Sequence, residues 1–351
     1  MTINRIISPS LSPNTEVEDV GQAIRMLFNP STWQHGSAID EVEQWFKSYF
    51  AAESVTSFIS GRAALYALLQ ACEIGNGDEV LMQAFTCVAV PNSILTIGAR
   101  PIFVDIDKTF NIDPEDAVRK MTKQTRAIVI QHTFGVPANL EKLLLLAKKH
   151  HLIVIDDCAH CLGGMYKGGK LGTFGDAAFF SFGRDKVISS VWGGVAMINA
   201  TCKMPNAKYR LKKIQEELSY PSRAWIVQQL LHPIAFAAIL PTYNLIIGKV
   251  ILEGMKGMKF LSVPNPPTFS LARYPNALAK LLVKQLAKLK RYNAMRRARA
   301  SYYQKVLRNG MLKSGAIYLR YATRVDDPVR VMRHAKRHGI LLGNWYHNVI
   351  D

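Results

Sequence analysis

Cysteine is sparse, five in 351 residues, which excludes a disulfide-stapled scaffold and suggests a reducing, cytoplasmic setting. The opening stretch, MTINRIISPSLSPN, has no apolar run long enough for a secretory signal. No internal repeat or low-complexity tract is visible. Acidic residues are short in one half only. Residues 201–351 hold 6 Asp+Glu against 27 Lys+Arg, whereas residues 1–200 hold 20 against 17, so the whole surplus of +18 belongs to the second half. Between Lys280 and Arg299 there are eight basic residues and no acid. Such a surface attracts phosphates on a nucleic acid, an anionic lipid or a small molecule, unless it is a solvated helix face with no partner. Nucleic acid is the least expected of the three.

With 49% hydrophobic and 20% charged residues the composition is that of a folded protein, and the length suits two domains. Short apolar runs recur at Val55–Ile59, Val80–Met82, Ile102–Val104, Ala127–Ile130, Leu152–Ile155, Ala177–Phe182 and Gly194–Ile198. Several are β-branched and near-continuous, as strands buried on both faces should be. Helical patterns lie between them at Ala63–Ala71, after the Asp113-Pro114 start signal, and at Asn139–His150. Strands alternating with helices predict an α/β domain over residues 1–200 with a mainly parallel sheet, whose binding groups gather at the carboxyl ends of the strands.

Residues 201–272 read as an apolar and basic insertion, and 273–351 as a smaller α/β domain. Residues 224–248, AWIVQQLLHPIAFAAILPTYNLIIG, contain no Asp, Glu, Lys or Arg. Three readings fit: a membrane span, a membrane-surface hairpin (contact through 224–252 at the cytoplasmic face), or a buried or dimer-interface helix pair. Gln228, Gln229, His232, Asn244 and two prolines speak against spanning. Pro275–Leu307 predicts one long basic helix, Ala316–Tyr321 a strand and Val329–His338 a helix. The abrupt final HNVID suggests a truncated last domain.

Three clusters could carry chemistry. In Ile153-Val-Ile-Asp-Asp-Cys-Ala-His160 an apolar strand ends in two carboxylates, expensive there without partners. One of them could hold a cationic cofactor nitrogen, or the pair could cap the next helix. In Ala178-Phe-Phe-Ser-Phe-Gly-Arg-Asp-Lys186 a lysine follows a buried aromatic strand. An amine in an apolar site becomes a nucleophile, although a surface loop lysine would look the same. Ser60-Gly-Arg-Ala-Ala64 joins a strand to a helix, where backbone N–H groups can meet an anion. Two further motifs are set aside: Cys158-Ala-His-Cys161 has no second ligand pair for a metal, and Gly75-Asn-Gly-Asp reads as a turn. A phosphate turn, a strand-end acid and a lysine, in that order, form the arrangement of a pyridoxal-phosphate enzyme.

The sequence resembles the DegT/DnrJ/EryC1/StrS family of pyridoxal-phosphate sugar aminotransferases over roughly residues 35–200. The segments that carry the likeness include SGRAALYALL, HTFGVPANLEKLLLLAKKHHLIVIDDCAH and GTFGDAAFFSFGRDK. The resemblance implies a fold-type-I large domain with a seven-stranded sheet, a small C-terminal domain, and a homodimer with sites at the interface. It implies transfer of an amino group, from a glutamate-type donor, to a nucleotide-linked keto sugar. By position it makes Lys186 the lysine bonded to pyridoxal 5′-phosphate and Asp157 the acid on the ring nitrogen. His160 would lie beside the ring, Ser181 on the phosphate, and Gly61, Arg62 and Ala63 on the phosphate turn. Three departures stand out. Arg62 replaces the usual Thr or Ser. Cys87 stands where an aromatic residue stacks on the ring, leaving that place to Phe85. Arg273 and Tyr274 occupy the neighbourhood of the Asn that reaches the partner's phosphate. A dehydratase of the same family would carry His in place of Lys186. A non-catalytic binding protein, its basic half facing lipid or nucleic acid, is the alternative from another class.

Overall fold

The computed structural model describes residues 14–243, 247–258, 260–261, 270–308 and 312–343; the terminal HNVID, read above as truncated, lies outside the described residues. All seven apolar runs form strands of one sheet: β1 (Ser54–Phe58), β2 (Glu79–Gln83), β3 (Arg100–Val104), β4 (Thr125–Gln131), β5 (Ile153–Asp157), β8 (Ala177–Ser181) and β9 (Gly194–Ile198). A separate two-stranded ribbon, β6 (Met165–Tyr166) and β7 (Gly169–Lys170), interrupts the series. The sheet order is β1-β9-β8-β5-β4-β2-β3, and only β9 runs against its neighbours. The carboxyl ends of β1, β2, β3, β4, β5 and β8 therefore share one edge.

Both faces are buried because the side chains alternate between two helical layers. Ile128, Ile130, Val154, Ala178 and Phe180 pack on the side of α2 (Ala38–Phe50), α6 (Leu140–Lys149) and α10 (Asn276–Leu307). Ala127, Val129, Ile153, Ile155 and Phe179 face the side of α3 (Gly61–Ala71), α4 (Ala89–Thr96) and α7 (Ala207–Glu217). Helix starts follow the local chemistry. Asp113 accepts from Glu115 N at the head of α5 (Pro114–Lys120), and Asn139 accepts from Lys142 N at the head of α6.

The second half narrows one open reading and departs from its reading in two other ways. The uncharged segment begins as α8 (Arg223–Thr242) and continues in α9 (Ile247–Gly257). By length and composition α8 could cross a membrane. Its first half, however, puts Ile226 and Leu230 into the main core with α1 (Val17–Leu27) and α10, and buries Gln229 and His232. The first half of α8 is therefore a core helix. Next, Ala316–Tyr321 is not a strand. With no strand beside it among the described residues, it is irregular chain, with Tyr318 at φ 52°, docked on a turn, Ile317 N donating to Gly135 O at 3.0 Å. After it comes α11 (Pro328–Arg337), close to the helix expected there.

The second difference concerns the basic run of α10, which is only partly an open surface: Lys284, Lys290, Arg291, Arg297 and Arg299 are exposed, but Lys288 is buried. Lys288, 8% exposed, bonds Asp19 at 3.0 Å and Glu16 at 3.1 Å on the N-terminal arm. Arg291 forks onto Glu16, and Lys280 meets Glu41. Part of the positive surplus thus neutralises acids of the first 50 residues. Burial works against the Lys288 charge, but Asp19 and Glu16 outweigh it and raise its pKa. Lys288→Met would strand Asp19, itself 5% exposed, beside Glu16. Urea unfolding at neutral pH should show a loss of about 3 kcal/mol. The exposed Arg291→Ala should cost far less, close to nothing measurable. Equal losses for the two would show that burial does not govern this seam.

Candidate active site

Successive strand residues point to opposite faces, so the two carboxylates that end β5 diverge. Asp156 shares the face of Val154. It accepts from Gly175 N at 3.4 Å and lies 3.8 Å from His132 Nε2, wholly buried. Asp157 shares the other face, accepts from Ala159 N at 3.0 Å and feels the charge of Lys186. Residues 158–163 form turns, so the pair caps no helix. Burial pushes the Asp157 carboxyl up to about 6 against the hydrogen bond from Ala159 and the field of Lys186.

Lys186 follows β8 on a turn closed by Lys186 N to Gly183 O at 3.1 Å. Its Nζ lies 3.1 Å from His160 Nε2. Burial, with Lys186 and Arg320 adding to it, drives the His160 pKa well below its ordinary value, so the imidazole is neutral and can accept from the ammonium. The His160 ring lies parallel to Phe134, centroids 6.0 Å apart. Phe134 sits in the left-handed region at φ 54°, a costly conformation for a bulky residue that its packing must enforce. At Gly135, with φ 83°, a Cβ would come within 2.6 Å of Ile317 and 2.9 Å of the His160 carbonyl.

The backbone of the lysine turn is gripped from elements distant in sequence. Asn14 Nδ2 donates to both Lys186 O and Val187 O at 3.0 Å. Arg296 on α10 donates to Val187 O at 2.7 Å and to Asn14 Oδ1 at 3.0 Å. Gln285 on α10 accepts from Ser189 N, and Arg320 pairs with Asp185 at 2.7 Å. Burial brings the Arg296 pKa down to about 10. Burial would raise the Asp185 carboxyl, but Lys186 and Arg320 together hold it below its ordinary value. Sequence reasoning missed Asn14, Arg296 and Arg320. No local signal marks Asn14, and Arg296 was one of the eight cations of a run read as surface.

The β1–α3 turn stands at the same edge. Ser60 accepts from Ala63 N and begins the helix. A Cβ on Gly61 would fall 2.7 Å from Ser181 Cβ, so glycine lets the helix start approach that hydroxyl. Gly61, Arg62, Ala63 and Ser181 are thereby brought together, with Arg62 half-buried. Phe85 joins an aromatic group with Phe110 at 5.9 Å and Phe134 at 6.2 Å. Cys87 leads into α4, its carbonyl accepting from Val90 N. Arg273 and Tyr274 serve inside the chain: Arg273 donates to Gln215 O and Glu216 O, and Tyr274, wholly buried, bonds Ser190 at 2.6 Å. A cleft of about 240 Å³ opens beside Phe134 and Arg320, with Lys108, Phe110, Tyr321 and Arg324 on its walls.

His132, Cys158 and Cys161 also cluster within 4.8 Å of one another, all buried. His132 Nδ1 accepts from Ala138 N at 3.2 Å, which puts the neutral ring's proton on Nε2 and leaves that atom no lone pair for a metal. Burial raises both thiols, further against ligation.

The residues present suit pyridoxal phosphate. A carboxylate that burial makes costly to ionise is stabilised by a cationic N–H partner, an amine stands near it, and the Gly61 approach places a helix start beside a hydroxyl for an anion.

Residues 14–207 match the sequence model of the DegT/DnrJ/EryC1/StrS aminotransferase family. The chain is 37% identical over 197 residues to a GDP-perosamine synthase of Escherichia coli O157:H7, covering 55% of this chain and 52% of that one. It is 37% identical over 166 residues to a dTDP-3-amino-3,6-dideoxy-alpha-D-galactopyranose transaminase of Aneurinibacillus thermoaerophilus, covering 47% and 46%. The chain spans about half the length of the curated relatives it matches. Among solved structures, Helicobacter pylori PseC, an aminotransferase involved in the biosynthesis of pseudoaminic acid, superposes with a TM-score of 0.74. The alignment covers 99% of this chain and 86% of that one at 19% identity, a likeness of fold.

The raised Asp157 pKa has a sign that can be checked. Below about pH 4 the carboxyl is protonated folded or unfolded, and contributes nothing. As pH rises towards 6 the unfolded chain releases the proton first, so folding loses stability, in full above the folded value of about 6. Asp157→Asn should therefore unfold at higher urea than the parent, both free of cofactor, by about 3 kcal/mol more at pH 8 than at pH 4. A gain independent of pH would show that the carboxyl is not buried at an ionisation cost.

Proposed function

Because the chain belongs to the DegT/DnrJ/EryC1/StrS aminotransferase family, we propose that it is a pyridoxal-phosphate aminotransferase acting on a nucleotide-linked keto sugar, with a glutamate-type amino donor. The observation that carries this reading is the Lys186 amine, 3.1 Å from a neutral buried His160, beside an Asp157 that burial makes costly to ionise. When bound, the cofactor supplies an aldehyde for amines and a ring that withdraws electrons from the reacting carbon.

The chain's residues divide the remaining work. Asp157 keeps a proton on the ring nitrogen. Lys186 Nζ would hold the cofactor's aldehyde and, when free, would take up and release a proton at Nζ. His160 Nε2 orients that amine. Ser181, with the turn at Gly61, Arg62 and Ala63, holds the phosphate; Arg62 can do so bidentately in place of a hydroxyl. Phe85 lends its ring to the aromatic wall where Cys87 does not. The Asn14, Arg296 and Arg320 contacts hold the lysine turn still, which positions Nζ. The neighbouring cleft, with Lys108 and Arg324 among Phe110 and Tyr321, suits an anionic substrate bearing a planar base. A homodimer completes the reading, as the resemblance implies.

Incubation with pyridoxal phosphate should give an absorbance band between about 330 and 430 nm that shifts on adding glutamate. Borohydride added before glutamate should fix the cofactor to the chain, and Lys186→Ala should abolish the fixed adduct. A full adduct in Lys186→Ala, or no cofactor bound to the parent, would overturn the assignment. The second outcome would favour a non-catalytic binding protein.

A further inference from the structure

We propose that the outer face of α9 docks the protein on an anionic lipid surface. The helix divides into three stripes. Ile251, Leu252 and Met255 turn inward onto Ala235, Phe236 and Ile239 of α8, forming with Leu261 a small core separate from the main one. Lys249, Glu253 and Lys256 make a charged stripe, with Glu253 and Lys256 paired at 2.8 Å. On the third stripe Ile247 and Val250 stand 56% and 65% exposed, followed beyond the helix end by Met258 at 62% and Phe260 at 46%. Spacings of 3, 4 and 4 residues from Ile247 through Val250 and Gly254 to Met258 keep this stripe on one side.

A soluble surface helix needs one apolar stripe, to meet the core. Here that stripe is already satisfied by α8, and a second faces outward with lysines beside it, the pattern of a helix lying in a lipid interface. The structure narrows the expectation for residues 224–252. The first half of α8 belongs to the core, its second half props α9, and α9 with residues 258 and 260 makes the contact. Charge selects the occupant. The stripe has no acid, Glu253 is bound to Lys256, and residues 201–351 hold 27 basic residues against 6 acidic. A second copy would bring the same positive half against itself, whereas anionic headgroups complement it. The inference does not depend on the chemistry at Lys186.

Sedimentation of the full chain with vesicles tests it. At low salt the protein should pellet with vesicles of equal parts phosphatidylcholine and phosphatidylglycerol, pellet poorly with phosphatidylcholine alone, and be released at about 0.5 M salt. The pair Val250→Asp and Met258→Asp, exposed positions that should leave the unfolding midpoint unchanged, should abolish pelleting. Lys249→Gln should weaken it roughly fivefold. Protein left in the supernatant at low salt, or pelleting indifferent to the Val250 and Met258 changes, would overturn the proposal. So would a concentration-dependent dimer that those changes dissociate, for the stripe would then join two copies of the chain.

Discussion

Burying both faces of a seven-stranded sheet leaves one place where charge can be put to use, the edge at which its parallel strands end. The interior of β4, β5 and β8 is close to continuous hydrocarbon, and helices cover each side. Polar groups come in at the carboxyl ends: Asp157 after β5, Ser181 on β8, and the helix start at Gly61 after β1. Their spacing is dictated by the strand register. Asp157 lies across from Phe179 and Ser181 across from Gly194. Because these groups are buried at that edge, the Asp157 carboxyl is costly to ionise and the His160 imidazole stays neutral.

Such an edge is useful only if the lysine turn is held still, and the holding comes from the far ends of the chain. Asn14 precedes the first helix, Arg296 sits deep in α10, and Arg320 lies beyond it. This gives the lopsided charge a reason. Four cations of the second half meet partners in the first, Lys288 and Arg291 on acids of the N-terminal arm, Arg296 and Arg320 on the lysine turn. The basic run that suggests an external phosphate partner turns inward at Lys288 and Arg296, while Lys284, Lys290, Arg297 and Arg299 stay exposed.

The family's sequence model covers residues 14–207, and the sequence is most legible over the same stretch. All seven strands lie where β-branched runs predict them, since a strand buried on both faces has a composition few other elements share. Ala316–Tyr321 is apolar too, but among the described residues no strand lies beside it, and it docks on the 133–135 turn. The uncharged segment 224–248 left span, surface hairpin and buried pair open. Hydropathy alone cannot separate them, because a core helix and a lipid-facing helix are apolar for the same reason.

With the roles of Asp157, His160, Ser181 and Gly61 taken from the family resemblance, the sequence by itself determined the alternation of strands and helices, the edge that carries the polar groups, and the clusters that hold Lys186, the two adjacent aspartates and the Ser60–Ala64 turn. Those follow from local periodicity and from residue types that are expensive to bury without a role. Only the tertiary structure decided which of two adjacent aspartates faces the amine, since strand alternation sends Asp156 towards His132 and Asp157 towards Lys186. It alone showed that Asn14 and Arg296, separated by 282 positions, meet on the Lys186 turn. A hydrogen bond over such a distance leaves no periodic trace, because its geometry exists only once the chain has closed.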